Sequence, residues 1–170
     1  AAEASQRLRL GPRSSVIEIA SNDGYLLQHF AERGIPVLGI EPASNCAAAA
    51  RARGVPSIVD FFGEALARRI LAEQEPPDLV VANNVLAHVP DLHDFLRGLA
   101  LLLSAGGVAT LEFPHLLRLV DGNQFDTIYH EHFSYFGFTT VDEIFRHHDM
   151  VIFDVEELPT HGGSLRIYGR

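Results

Sequence analysis

Lysine is missing from this chain: all 13 basic residues are arginine. That excludes a Schiff-base lysine and the lysine of a phosphate-binding P-loop. Cysteine is almost missing too, since Cys46 stands alone among 170 residues. Neither an internal disulfide nor a multi-cysteine zinc site can form, and a reducing, cytoplasmic compartment is expected. No apolar run approaches the roughly 18–20 residues of a membrane helix, and residues 1–14 lack a signal-peptide core, so a soluble protein without a membrane partner is expected. No basic run exceeds Arg68-Arg69, against a formal net charge of −9, which disfavours nucleic-acid binding through phosphates. Met150 is the single methionine and the chain opens at Ala1. It therefore reads as a part excised from something longer, with flanking domains of the same chain as expected partners.

What is present is one domain's worth of apolar residues, 47% of the chain, so residues 1–170 are taken as a single domain. Short apolar runs alternate with helix-periodic segments. Strands are expected at 15–20, 36–40, 56–59, 79–82 and 108–113, with helices at about 25–34, 45–53, 64–73 and 91–103. Thr140-Val141-Asp142-Glu143 has the spacing of a capping box and opens a helix to His148. Two more strand-like runs, 151–155 and 164–168, follow with no helix between them and should pair antiparallel. The expected fold is α/β, a doubly wound, mostly parallel seven-stranded sheet ending in an antiparallel pair. About 25 residues between Pro114 and Phe138 fit neither a helix nor a strand, which usually marks a functional insertion.

The turn Glu18-Ile19-Ala20-Ser21-Asn22-Asp23-Gly24 falls at the carboxyl end of the first strand, where such folds place a ligand. Small residues, and Asn or Asp that tolerate positive φ, let backbone N–H groups approach it. Glu41-Pro42 ends the second strand, about where a carboxylate holds ribose hydroxyls, so an adenosine-containing ligand is expected. A dinucleotide is disfavoured, because the turn has one glycine, Gly24, rather than G-x-G-x-x-G.

Tyr129-His130-Glu131-His132 packs a phenol, a carboxylate and two imidazoles into four positions of the insertion, and imidazole exchanges protons near neutral pH. If the segment is extended, His130 and His132 share a face and Glu131 points away. No H-E-x-x-H pattern is present, and no metal is expected. His29, His93, His147 and His148 are expected at the surface, while His115 and His161 lie near strand ends with site and structural roles both open.

The first turn resembles a diverged E-x-G-x-G-x-G motif of class I S-adenosylmethionine methyltransferases, with Ala20 and Asn22 at the first two glycine positions. Read together with Gly39-Ile40-Glu41-Pro42, Ala82-Asn83-Asn84-Val85-Leu86-Ala87-His88-Val89, Glu112-Phe113-Pro114-His115, Phe125 to His132 and His161-Gly162-Gly163-Ser164-Leu165-Arg166, the chain resembles the C-methyltransferases of nucleotide-linked ketodeoxysugars in antibiotic biosynthesis. The resemblance implies a Rossmann-like class I methyltransferase fold and S-adenosylmethionine as cofactor. It places Glu41 on the ribose, borders the adenine with Asp60, Phe61 and Phe62, and sets Asn83, Asn84 and the residues up to Val89 beside the methyl group. Asp60-Phe61-Phe62 also fits a bland reading as core plus a helix cap. By the same resemblance His132 is the general base, and Tyr129 and Glu131 map to the family's tyrosine and glutamate. Their chemistry suits Glu131 to orienting or polarising an imidazole and Tyr129 to positioning the cofactor, and His88 is a further catalytic candidate. The implied substrate is a nucleotide-linked keto sugar. The rivals are an O- or N-methyltransferase of another small molecule, and a cofactor-binding module inactive without its flanking domains.

Overall fold

The computed structural model describes residues 1–103 and 106–170. Seven strands form one sheet: β1 (Val16–Ile19), β2 (Val37–Ile40), β3 (Ser57–Ile58), β4 (Leu79–Asn83), β5 (Val108–Pro114), β6 (Ile152–Leu158) and β7 (Ser164–Gly169), in the order β3-β2-β1-β4-β5-β7-β6. The first five are parallel, and β7 runs antiparallel to both β5 and β6. Parallel strands need a crossover over a face of the sheet, so the central strands are buried on both sides and their sequences are continuously apolar. Val16 and Ile17, or Val80 and Val81, therefore enter different cores.

The helices are α1 (Ala2–Arg7), α2 (Gln28–Ala31), α3 (Ser44–Ala52), α4 (Glu64–Glu73), α5 (Leu92–Leu102), α6 (Leu116–Asp121) and α7 (Phe138–His147). On one face α4, α5 and α7 bury Leu66, Ile70, Phe95, Leu99, Leu102 and Phe145 against Ile17, Val80, Leu111 and Ile167. On the other face Phe30, Ala50 and Val55 pack on Val16, Leu79 and Val81. Each such Leu, Ile or Phe contributes roughly 1.5–3 kcal/mol by leaving water.

Several expectations change. The helix foreseen from Tyr25 shrinks to α2, because residues 24–34 are a series of tight turns, with Phe30 N–H donating to Leu27 O and Gly34 N–H to Ala31 O. The capping box at Thr140 does not form. Helix α7 begins three residues earlier, at Phe138 behind Gly137, because the backbone of Phe136 is bridged to His115 and the chain can turn only after it. The insertion contains α6 and a 3-10 turn at Phe125–Thr127. Helix α1 lay outside the expectation altogether. Among the described residues no helix is long and apolar enough to cross a membrane.

Helices α4 and α5 meet at two glycines. A Cβ at Gly98 would lie 2.7 Å from the carbonyl carbon and 2.8 Å from the carbonyl oxygen of Gly63, which are backbone atoms that cannot swing aside. Gly98→Ala would gain up to about 1 kcal/mol of helix propensity, but forcing the helices apart costs about 1–3 kcal/mol. The expected net effect is destabilisation by about 1–2 kcal/mol, measured by urea denaturation. A more stable variant would show that the two helices separate freely.

Candidate active site

The loops after β1, β2, β3 and β4 enclose a cleft of about 350 Å³ whose walls include Ile19, Ala20, Ile40, Pro42, Phe62, Val85 and Phe95. In the turn after β1, Ala20, Asn22 and Gly24 all take left-handed φ values of 55°, 53° and 76°. For alanine that conformation costs about 1–2 kcal/mol, strain of the kind retained at ligand sites. The turn is tied to β2 by Glu41, whose Oε2 accepts from Asn22 N–H at 3.0 Å and whose Oε1 accepts from Ala43 N–H at 2.8 Å. Each carboxylate oxygen has a second lone pair, so Glu41 can brace the turn and still accept ribose hydroxyls. From the other side Arg53 holds the turn, with its NH1 at 3.0 Å from Asp23 O and 2.6 Å from the Asp23 carboxylate. Gly39 leaves room for this packing, since a Cβ there would run into Ser21 Oγ.

Of the expected cofactor residues, Asn22, Asp23, Gly24 and Glu41 form the turn and its braces, and the others divide into two sets. Ala20, Pro42, Asp60, Phe61 and Phe62 line the cleft, with the Asp60 carboxylate held by Arg69 at 2.9 Å and by Phe61 N–H at 2.9 Å. Phe61 is 80% exposed, an apolar ring standing free at the rim. Glu18, Ser21, Asn83 and Asn84 are not among the residues that line the cleft. Asn83 lines a smaller cavity of about 100 Å³ with Leu26, Thr110, Arg166 and Tyr168. Glu18 Oε2, Ser21 Oγ and Asn84 Oδ1 are buried with no hydrogen-bond partner, and unpaired buried groups of this kind are costly unless a ligand or water meets them. The apolar walls of the cleft, the turn beside it braced by the Glu41 carboxylate and the unpaired polar atoms near that turn are features that fit S-adenosylmethionine. Asp91, Asp94 and Phe95 also line it. The sequence pattern hid them, since they belong to a helix whose periodicity announces only core.

Beside the cleft lies the histidine cluster. Phe133 N–H donates to Ala87 O at 2.8 Å, docking the insertion on the 3-10 turn Leu86–His88. The rings of His88 and His132 stand 4.8 Å apart, with Tyr129 at 4.4 Å and Tyr135 at 5.7 Å from His132. His88 Nδ1 lies 2.9 Å from Glu131 O, and His132 Nδ1 lies 2.8 Å from Thr127 O. A carbonyl oxygen only accepts, so each Nδ1 carries the proton and each Nε2 keeps a lone pair. The arrangement is two adjacent imidazoles with their basic nitrogens left free, and His88 belongs to the cleft wall as well.

The segment is not extended: His132 N–H donates to Tyr129 O at 3.1 Å, closing a turn. His130 and His132 therefore share no strand face, and His130 is exposed. The Glu131 backbone carbonyl, not its carboxylate, meets His88, and its side chain is exposed. Among the described residues no group of three or more His, Cys, Asp or Glu is placed to hold a metal ion. His115 Nδ1 is buried without a partner, whereas His161 is exposed with a left-handed φ of 52°. His93 and His148 pair at 2.9 Å near the surface, and burial together with His93 and His147 lowers the pKa of His148.

Comparison with known proteins gives a consistent result. A family model described as a methyltransferase domain matches residues 1–154. The C-methyltransferase NovU of Streptomyces niveus is 37% identical over 163 residues, 96% of this chain but 39% of that protein. A ubiquinone biosynthesis O-methyltransferase of Idiomarina loihiensis is 31% identical over 94 residues, 54% of this chain and 39% of its own length. The chain thus spans about two fifths of these curated relatives. Among solved structures, a chain of the Haloferax volcanii complex between a methyltransferase activator and its methyltransferase partner superposes with a TM-score of 0.79 at 16% identity, over 99% of this chain and 87% of that one. Magnesium protoporphyrin IX methyltransferase from Synechocystis with bound SAH gives 0.70 at 17% identity, over 99% and 77%. At these identities the likeness is one of fold.

Burial pushes the Glu18 carboxyl up to about 8 from an ordinary 4.5. The folded chain then keeps a proton that the unfolded chain releases, so this group's contribution to stability is lost as pH rises through that window. Glu18→Gln removes the titration. The stability of the variant relative to wild type should rise between pH 5 and pH 8 by about 3–5 kcal/mol, at 1.36 kcal/mol per pKa unit, read from denaturation curves at both pH values. An identical difference at the two pH values would show that Glu18 is ionised in the fold.

Proposed function

The chain belongs to the methyltransferase-domain family, an S-adenosylmethionine-dependent fold, and from that premise we propose that it methylates a carbon next to a ketone, with His132 as the base. The observation that carries the reading is the locked ring of His132, whose Nδ1 proton is committed to Thr127 O and whose free Nε2 stands beside a histidine of the cofactor cleft. Carbon is a poor nucleophile until the adjacent proton is removed, and a positioned base supplies about 10²–10⁴-fold in such a step. The similarity to a C-methyltransferase over nearly the whole chain supports carbon as the acceptor. The further assignment to a nucleotide-linked keto sugar rests on the motif resemblance alone, and the flanking domains of a longer chain are proposed to complete the substrate site.

Glu41 and the turn Ala20–Gly24 would hold the cofactor, which supplies an electrophilic methyl group when bound. Nε2 of His132 takes the proton α to the ketone, and the carbon–hydrogen electrons become the enolate. The enolate carbon would then be the nucleophile for the methyl group that the bound cofactor supplies, and the proton stays on His132 Nε2. Tyr129, packed on the His132 ring, keeps the imidazole plane in place. The matching O-methyltransferases favour a second reading, in which the same nitrogen deprotonates a hydroxyl.

Glu41→Gln should weaken S-adenosylmethionine binding by about 10- to 100-fold, as one neutral amide replaces charge-assisted acceptors worth about 1.5–3 kcal/mol. Calorimetry measures it, and equal affinity would remove Glu41 from the cofactor site. With keto-sugar nucleotide and demethylated cofactor in deuterated water, the full-length protein should exchange the α-proton. His132→Ala should bind cofactor normally but lose exchange and methylation by about 10²–10⁴-fold. Near-normal exchange in the variant would remove His132 as base, and a methyl group found on oxygen would favour the second reading. Turnover by the full-length protein but not by residues 1–170 would leave this chain as its cofactor-binding part.

A further inference from the structure

A chain of hydrogen bonds runs from the β6–β7 connection to the ring of His132. The side-chain amide of Gln124 donates to Gly162 O at 2.8 Å. The backbone carbonyl of Gln124 accepts from Thr127 twice, from the hydroxyl at 2.8 Å and from the N–H at 3.2 Å. The carbonyl of Thr127 then accepts from His132 Nδ1 at 2.8 Å. We infer that Gln124 is a positioning residue, tying the base to the sheet and fixing which ring nitrogen of His132 carries the proton. The inference rests on the reading of His132 as the base.

Ring packing flanks His132 itself, through Tyr129 and Tyr135, but the turn leading to it has little apolar anchorage. Phe125 and Ile128 are exposed, so hydrogen bonds hold the backbone between Gln124 and Thr127. The far end of the chain of bonds is firm. Thr160 Oγ1 donates to Glu112 Oε1 at 3.0 Å, Arg166 holds Glu112 Oε2 at 2.9 Å, and His115 N–H donates to Gly163 O at 3.0 Å. Glu112 is buried in β5, so Gly162 O is anchored to the sheet itself. Both glycines take φ values, 75° and 120°, that L side chains rarely adopt. A Cβ at Gly162 would meet the Gln124 amide at 2.5–2.7 Å, and one at Gly163 would meet the Arg118 side chain at 2.7–2.8 Å. The Gly162-Gly163 pair, which from sequence could be no more than a turn, is also where Gln124 of the insertion docks.

Ring nitrogen-15 spectra of the full-length protein, labelled at histidine and without substrate, test this directly. The His132 signals are those lost in His132→Ala. In wild type they should show a protonated Nδ1 and a bare Nε2. In Gln124→Ala they should average between the two tautomers, with α-proton exchange slowed about ten- to hundredfold, the scale on which small misplacements act, and cofactor affinity unchanged. Gln124→Glu keeps the shape but has no N–H to give Gly162 O, so it should behave like Gln124→Ala; recovery of the wild-type tautomer in Gln124→Glu would show a steric role and overturn the inference. So would a folded Gln124→Ala that keeps the Nδ1–H tautomer. If Gln124→Ala does not fold, Gly162→Ala displaces the same amide from the opposite side, and an unchanged tautomer there overturns it equally. Failure of the base assignment looks different: His132→Ala would go on exchanging while the tautomer still responded to Gln124.

Discussion

Parallel pairing of β1 with both β2 and β4 is the constraint from which the rest of the molecule follows. Val16 faces Val37 on one side and Leu79 on the other. Because each parallel link needs a crossover, the chain winds one way from β1 to β3 and the other way from β4 onwards. The loops leaving β1 and β4 therefore part, and a crevice opens at their carboxyl ends. One wall comes from the strained turn at Ala20, the other from Val85 to Phe95. The same double burial makes β1 an expensive place for Glu18, which sits between Gly39 and Val81 in register.

The departure from parallel order has its own result. β7 runs against β5, so the connection entering it returns to the carboxyl end of the sheet, beside His115, instead of emerging at the opposite edge. That return puts Thr160 and Gly162 under the insertion. A purely parallel sixth connection would leave α6 and the following turn over open solvent.

Strand positions and the parallel-then-antiparallel order were legible because buried strands announce themselves as short apolar runs between turn residues. Helix α4 was legible from Leu66, Ala67 and Ile70 at helical spacing, and it starts at Glu64 and stops at Glu73 as expected. Helix α1 was not, because its apolar face is short and small, Ala1, Ala4 and Leu8 packing on the core, and it is further held by Arg7 on Asp154 and Glu156, which lie almost at the other end of the chain. Helix α6 exposes Leu116, Leu117 and Val120, so its periodicity points to no core. In the site, residues that end strands, such as Ala20, Pro42 and Asp60, were readable from position alone. Glu18 and Asn83 lie within strands, where side chains alternate between faces and proximity in sequence does not ensure a place in the cleft. The hold on His88 and His132 was hidden for another reason: it comes from backbone carbonyls, and these carry no signature in side-chain chemistry.

The closeness of the two imidazoles limits what can pass between them. Rings whose centroids lie 4.8 Å apart in an edge-on arrangement are already in contact, so no ligand atom fits in the gap. A substrate reaches either ring nitrogen only from outside the pair, where both histidines are partly open to solvent. The two rings thus form one side of a slot and not a pair of jaws, and a reacting edge must be presented along them.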